Sequence, residues 1–95
     1  MENTIKNRIN EVKKEIQALE IIRPGKMSKQ RRGEKKRTYN YLSYTFQNKG
    51  ATDYIKEKFV EKVNNETEAY NRFKELSDEW IELSIKLSTL EMKNN

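Results

Sequence analysis

Residues 69–90 read AYNRFKELSDEWIELSIKLSTL. Within this stretch Ala69, Phe73, Leu76, Trp80, Leu83, Leu87 and Leu90 fall at intervals of 4-3-4-3-4-3. That spacing is the apolar seam of a helix that packs against another helix. Neither Pro nor Gly occurs between residues 57 and 92. The helix is therefore expected to run that whole length, roughly 54 Å at 1.5 Å per residue. Its first part offers Phe59, Val60, Val63 and Tyr70 instead, a second stripe with room for a different partner.

The partner for the seam lies at the other end of the chain. Ile5, Ile9, Val12, Ile16 and Leu19 repeat the 4-3-4-3 spacing, which predicts a first helix over residues 2–22. Arg23-Pro24-Gly25 should end it, because Pro pushes the residue before it out of the helical region and Gly accepts positive φ. Ile5 to Ile22 and Phe73 to Leu90 both span 17 residues. The two segments would thus pair antiparallel, Ile22 near Phe73 and Ile5 near Leu90.

Between them the pattern changes period. Residues 38–46 are rich in Thr and aromatics and read as a strand. Alternation puts Asn40, Leu42, Tyr44 and Phe46 on one face and Tyr39, Tyr41, Ser43 and Thr45 on the other. Gln47-Asn48-Lys49-Gly50 signals a hairpin turn, with Gly50 the residue best able to take positive φ. Ala51 to Ile55 returns as a short strand. Residues 26–37 read either as a short edge strand or as an unstructured basic loop. The expected fold is mainly α (α+β). It is an antiparallel two-helix coiled-coil hairpin carrying a small two- to three-stranded antiparallel β-meander at its tip. One domain, 1–95, would comprise helix 2–22, the basic loop and meander 26–56, and helix 57–92.

Composition narrows the chemistry. Charged residues make up 37% of the 95 and hydrophobic ones 34%, a balance that invites disorder were the apolar residues not so regularly placed. There is no Cys and no His. Disulfides, thiolate zinc sites and Cys or His catalysis are therefore excluded. No apolar run approaches the 18 or so residues that a membrane span needs. The first residues lack an apolar signal region, so a cytoplasmic location is the default expectation. The net charge is +5. Residues 23–37 hold eight Lys or Arg against Glu34 alone, a local +7 that leaves −2 for the rest. That asymmetry is the strongest functional signal in the chain.

Four short motifs carry a family resemblance: Gly25-Lys26-Met27-Ser28-Lys29, Tyr39-Asn40-Tyr41-Leu42-Ser43-Tyr44, Tyr54-Ile55-Lys56-Glu57 and Tyr70-Asn71-Arg72-Phe73-Lys74-Glu75-Leu76. In this order, residues 23–90 resemble an uncharacterised small prokaryotic domain family found near transposases and other mobile elements. The resemblance implies the order helix, meander, long helix and a loose link to DNA mobility, and it assigns no activity. Relatives carry a cysteine cluster where this chain has the Lys29–Lys36 run, so no zinc role carries over.

Nucleic-acid binding is the first functional expectation. Arg23, Lys26, Lys29, Arg31, Arg32, Lys35, Lys36 and Arg37 would neutralise phosphates, and Tyr39 and Tyr41 would stack on bases or sugars. The bland alternative is a solvated basic tip whose tyrosines are cross-strand partners. DNA and RNA are not distinguished. With no recognition-helix signature, binding should be mostly backbone-directed. A protein-interaction module is the second expectation. Ile81, Ile85 and Met92 lie off the seam in a row, which points to a homodimer. An anionic lipid surface ranks third. An enzyme is the least expected, since the carboxylates read as a solvated helix face and no Ser or Tyr has a base beside it. No catalytic residue, metal ligand or cofactor is predicted.

Overall fold

The computed structural model describes residues 1–33 and 37–94, with the backbone alone at Arg32. The elements follow as α1 (Glu2–Ala18), β1 (Lys26–Arg32), β2 (Arg37–Phe46), β3 (Lys49–Ile55), a 3-10 turn (Glu57–Phe59) and α2 (Val60–Lys93). The expected helical hairpin with strands at its tip is not what forms. The order is helix, three-stranded antiparallel sheet, long helix, with sheet order β1-β2-β3. The chain divides into two compact units, one of Met1–Glu20 with Arg72–Asn95 and one of Ile21–Asn71.

The sheet is no appendage, because it has a core of its own. In the unit Ile21–Asn71, Leu42 and Ile55 from the sheet and Val63 from α2 are buried together. Met27, Tyr44 and Val60 pack around them. Three strands with an apolar face and a covering helix are enough for an independent core. Gly25 has φ +144°, and a Cβ there would stand 2.8 Å from both Cγ and Cδ1 of Leu42. The glycine lets the backbone lie directly on the core leucine.

The first helix stops earlier than predicted. Leu19 is already extended (φ −75°, ψ 136°), and Ile21 and Ile22 are exposed off the helix end. Ile22 is therefore not part of the helical stripe. Two consecutive β-branched residues favour extended backbone, and Pro24 restricts Arg23 likewise. The extended segment is anchored within the sheet unit, where Arg23 N–H donates to the Glu66 carbonyl at 3.2 Å.

The hairpin turn also differs. Gln47 (φ 53°) and Asn48 (φ 65°) both take positive φ, while Gly50 sits in β3 opposite Thr45. Two central residues of this kind form the two-residue primed turn whose twist matches that of the strands.

In the other unit, α1 and the C-terminal part of α2 run antiparallel. Ile9, Val12 and Leu76 are buried, and Ile5, Ile16, Phe73, Trp80, Leu83, Leu87 and Leu90 are half-buried along the two seams. Polar links flank the seam. Arg8 is bidentate to Glu79 at 2.5 and 2.8 Å, Arg72 reaches Glu15 at 3.2 Å, and the Asn94 amide donates to Glu2 at 2.5 Å. The Lys13 ammonium lies 5.3 Å from the centre of the Trp80 ring. Donation from Arg8 holds the Glu79 carboxyl below the usual carboxylate range.

Candidate nucleic-acid interface

The sheet has two unlike faces, and the register decides which residue lies on which. Along β2, Leu42 is fully buried and Asn40 nearly so, and both belong to the face that carries the core. The opposite face carries Tyr39 and Tyr41. Tyr41 is paired with Ser28 on β1 and with Tyr54 on β3, and Tyr39 with Gln30. The Tyr54 ring meets both Tyr39 and Tyr41 edge-to-face, with centroids 5.9 Å apart in each case. The three rings thus form one aromatic cluster across two strands. Around it Lys26, Ser28, Gln30, Arg37, Ser43 and Thr52 are exposed, and the Ser43 and Thr52 hydroxyls lie 3.4 Å apart.

Tyr54 was not among the expected site residues. Strand pairing brings it in, since it stands opposite Tyr41 across the Gln47-Asn48 turn.

The predicted basic residues do not act as one patch. Lys26 and Arg37 hold register positions on the tyrosine face, Lys26 opposite Ser43 and Arg37 two residues before Tyr39. Lys29 and Arg31 are exposed but pair with Asn40 and Thr38, and so lie on the core-bearing face. Arg23 is engaged: it ion-pairs with Asp53, and its guanidinium stands 5.4 Å from the centre of the Tyr44 ring. Arg32 pairs in register with Arg37. Lys35 and Lys36 lie outside the described residues. Charge still favours this unit as a whole: Ile21–Asn71 carries twelve Lys or Arg and six Asp or Glu, net +6, and the other unit −1. The sheet unit can thus attract an anion at long range while its aromatic face makes short-range contact.

Phe59, the first residue of the second stripe, is 43% exposed at the end of the 3-10 turn. The Asn40 amide donates to a Glu57 oxygen at 2.6 Å, tying the centre of the sheet to the 3-10 turn. In the helical unit, Ile81, Ile85 and Met92 are exposed (59, 63 and 69%) along one side of α2, with Ser84 and Ser88 between them.

Among the described residues, no group of three or more His, Cys, Asp or Glu is placed to hold a metal ion. None of their helices is long and apolar enough to cross a membrane. Comparison with protein-family models, curated proteins and solved structures gave no match.

Proposed function

We propose that this chain is a non-enzymatic nucleic-acid-binding module that meets its ligand with the tyrosine face of its sheet. The observation that carries the reading is the Tyr39–Tyr41–Tyr54 cluster, joined edge-to-face on an open sheet face in the unit of charge +6. Tyr54 is exposed and Tyr39 and Tyr41 are half-buried; aromatics on a sheet face offer π-faces to unpaired bases, and Lys and Arg around them neutralise phosphates. Lys26 and Arg37 hold register positions on the same face as the rings, and the basic run of residues 31–36 adds to the positive charge of the unit. A link to mobile DNA, which the family resemblance implies, belongs to the same proposal. The test is a titration of the full chain against labelled single-stranded and duplex oligonucleotides at several salt concentrations. Three to four phosphate contacts give a slope of log K against log[salt] of about −2 to −3 for single strands. Changing Arg31, Arg32, Lys35 and Lys36 to Gln lowers affinity and flattens the slope with helicity intact. Absence of salt-dependent binding at low ionic strength refutes the reading.

A second reading has its own observation, the exposed row Ile81, Ile85 and Met92. It makes the C-terminal half of α2 a coiled-coil surface for a second copy of this chain. The two readings are compatible, because a dimer would present the tyrosine face twice.

A further inference from the structure

One feature beside the tyrosine face has a different chemistry. Where β3 gives way to α2, a groove of about 420 Å³ is lined by Tyr54, Lys56, Phe59, Lys62, Glu66 and Arg23, over Ile55 and Val63. Its volume falls in the range of small-ligand sites, roughly 300–1,000 Å³. The groove and the tyrosine face share a wall, for Tyr54 belongs to both. The Phe59 ring is 43% exposed, and the Lys58 ammonium stands 5.1 Å from its centre.

The charges of this groove are unequal in their commitments. Arg23 is held by Asp53 and Lys62 by Glu66, while Lys56 makes no ion pair among the described residues. Glu66 is the unusual member, a carboxylate only 8% exposed in a site open to solvent. Its backbone carbonyl accepts the Arg23 N–H, which fixes it in place. A buried carboxylate beside aromatic walls is an acceptor for an N–H-bearing planar group, and in nucleic acids that group is the exocyclic amine of cytosine, adenine or guanine.

We propose that this groove takes one unpaired, amino-bearing base of a single strand whose neighbouring bases stack on the tyrosine face. The proposal rests on the nucleic-acid reading and deepens it. The base stacks against Phe59 and Tyr54, its amine donates to Glu66, and Lys56 meets the adjoining phosphate. Recognition is therefore of single strands, since a paired base could neither enter the groove nor offer a free face. Thymine and uracil, with a carbonyl where cytosine has its amine, set an acceptor against the carboxylate and are disfavoured.

Fluorescence anisotropy of the full chain with labelled oligodeoxycytidylate and oligothymidylate of equal length tests this. The two pyrimidines stack alike, so their difference reports the amine. Wild-type protein should prefer the cytidylate by roughly three- to tenfold. Glu66→Gln should erase that preference. Phe59→Ala should weaken both strands by roughly tenfold, as should Tyr41→Ala. Phe59 is exposed and Glu66→Gln keeps the side chain's shape, so far-UV circular dichroism should be unchanged. Ribo-oligomers of the same two bases assign the strand as DNA or RNA. Equal affinity for the two pyrimidines, or an unaffected Phe59→Ala protein alongside a weakened Tyr41→Ala protein, overturns the groove and leaves the tyrosine face standing. Failure of the wild type to bind any strand overturns both.

Discussion

Gly25 and Leu42 form a pair whose energetic coupling can be worked out in advance. An alanine methyl at position 25 would stand 2.8 Å from Cγ and Cδ1 of Leu42 and 3.2 Å from Cδ2, at a residue held at φ +144°. Two costs then add in Gly25→Ala: backbone strain of about 1–3 kcal/mol and overpacking of about 1–3 kcal/mol. Leu42 is fully buried, so Leu42→Ala alone should cost about 2–5 kcal/mol. It also removes the three atoms that the new methyl would meet. In the double variant the overpacking cost disappears, the strain stays, and the methyl fills part of the cavity. The double variant should therefore be more stable than the sum of the single effects by about 1–3 kcal/mol. Urea titrations of the four proteins, followed by far-UV circular dichroism and extrapolated to water, measure the cycle. Additivity within about 0.5 kcal/mol would refute the claim that Gly25 lies on the core leucine.

Three further outcomes are expected. Gln47→Gly should raise stability by about 0.4–1 kcal/mol, because Gln47 holds φ 53°, which glycine takes without strain; a lower melting temperature would contradict the primed turn. Because the Glu79 carboxyl is depressed by Arg8, its contribution to stability is complete above the unfolded carboxylate range and is lost as pH falls through the folded value. Arg8→Met should return the Glu79 titration, followed by NMR, toward the ordinary range, and the stability gap between the two proteins should close in acid; an unmoved titration would show that the bidentate pair does not form. Ile81→Lys with Ile85→Lys should convert a wild-type dimer to monomer in sedimentation without loss of helicity, since both residues lie off the intramolecular seam; a monomeric wild type at high concentration ends the dimer reading.

The helical seams were legible because a 3.6-residue period writes itself over many turns. Ile9, Val12 and Leu76 are buried where the 4-3 spacing puts them, and Ile81 and Ile85 are exposed where it leaves them out. The two faces of β2 were legible for the same reason at period two, with Leu42 inside and Tyr39 and Tyr41 outside; Phe46 alone departs, 63% exposed at the turn end beyond the core. What the sequence concealed depends on contacts between distant residues. Glycine preference pointed to Gly50 for the turn, but strand twist placed it at Gln47-Asn48. A four-residue loop would set Tyr54 beside Ser43. The two-residue turn moves its partner two residues along β2, to Tyr41, and so completes the aromatic cluster. The basic run looked like a single patch in one dimension. As strand β1 it splits Lys26 from Lys29 and Arg31 between opposite faces, and Arg23 turns to Asp53. The sheet core was partly legible, because Leu42 lies on the apolar face of its strand and Val63 on the second stripe of the long helix; that they form a cored unit of their own was not.

The proposed interface has unpaired bases meeting Tyr39, Tyr41 and Tyr54 together. The chain holds five tyrosines, and the other two serve as internal controls: Tyr44 packs against the sheet core and Tyr70 lies on α2. Ring resonances of protein labelled at tyrosine, followed by NMR while a single-stranded oligonucleotide is added, read all five at once. Ring-current shifts are expected at Tyr39, Tyr41 and Tyr54, saturating together, with Tyr44 and Tyr70 unmoved. Shifts confined to Tyr44 or Tyr70, or binding that leaves all five rings unmoved, would contradict the interface.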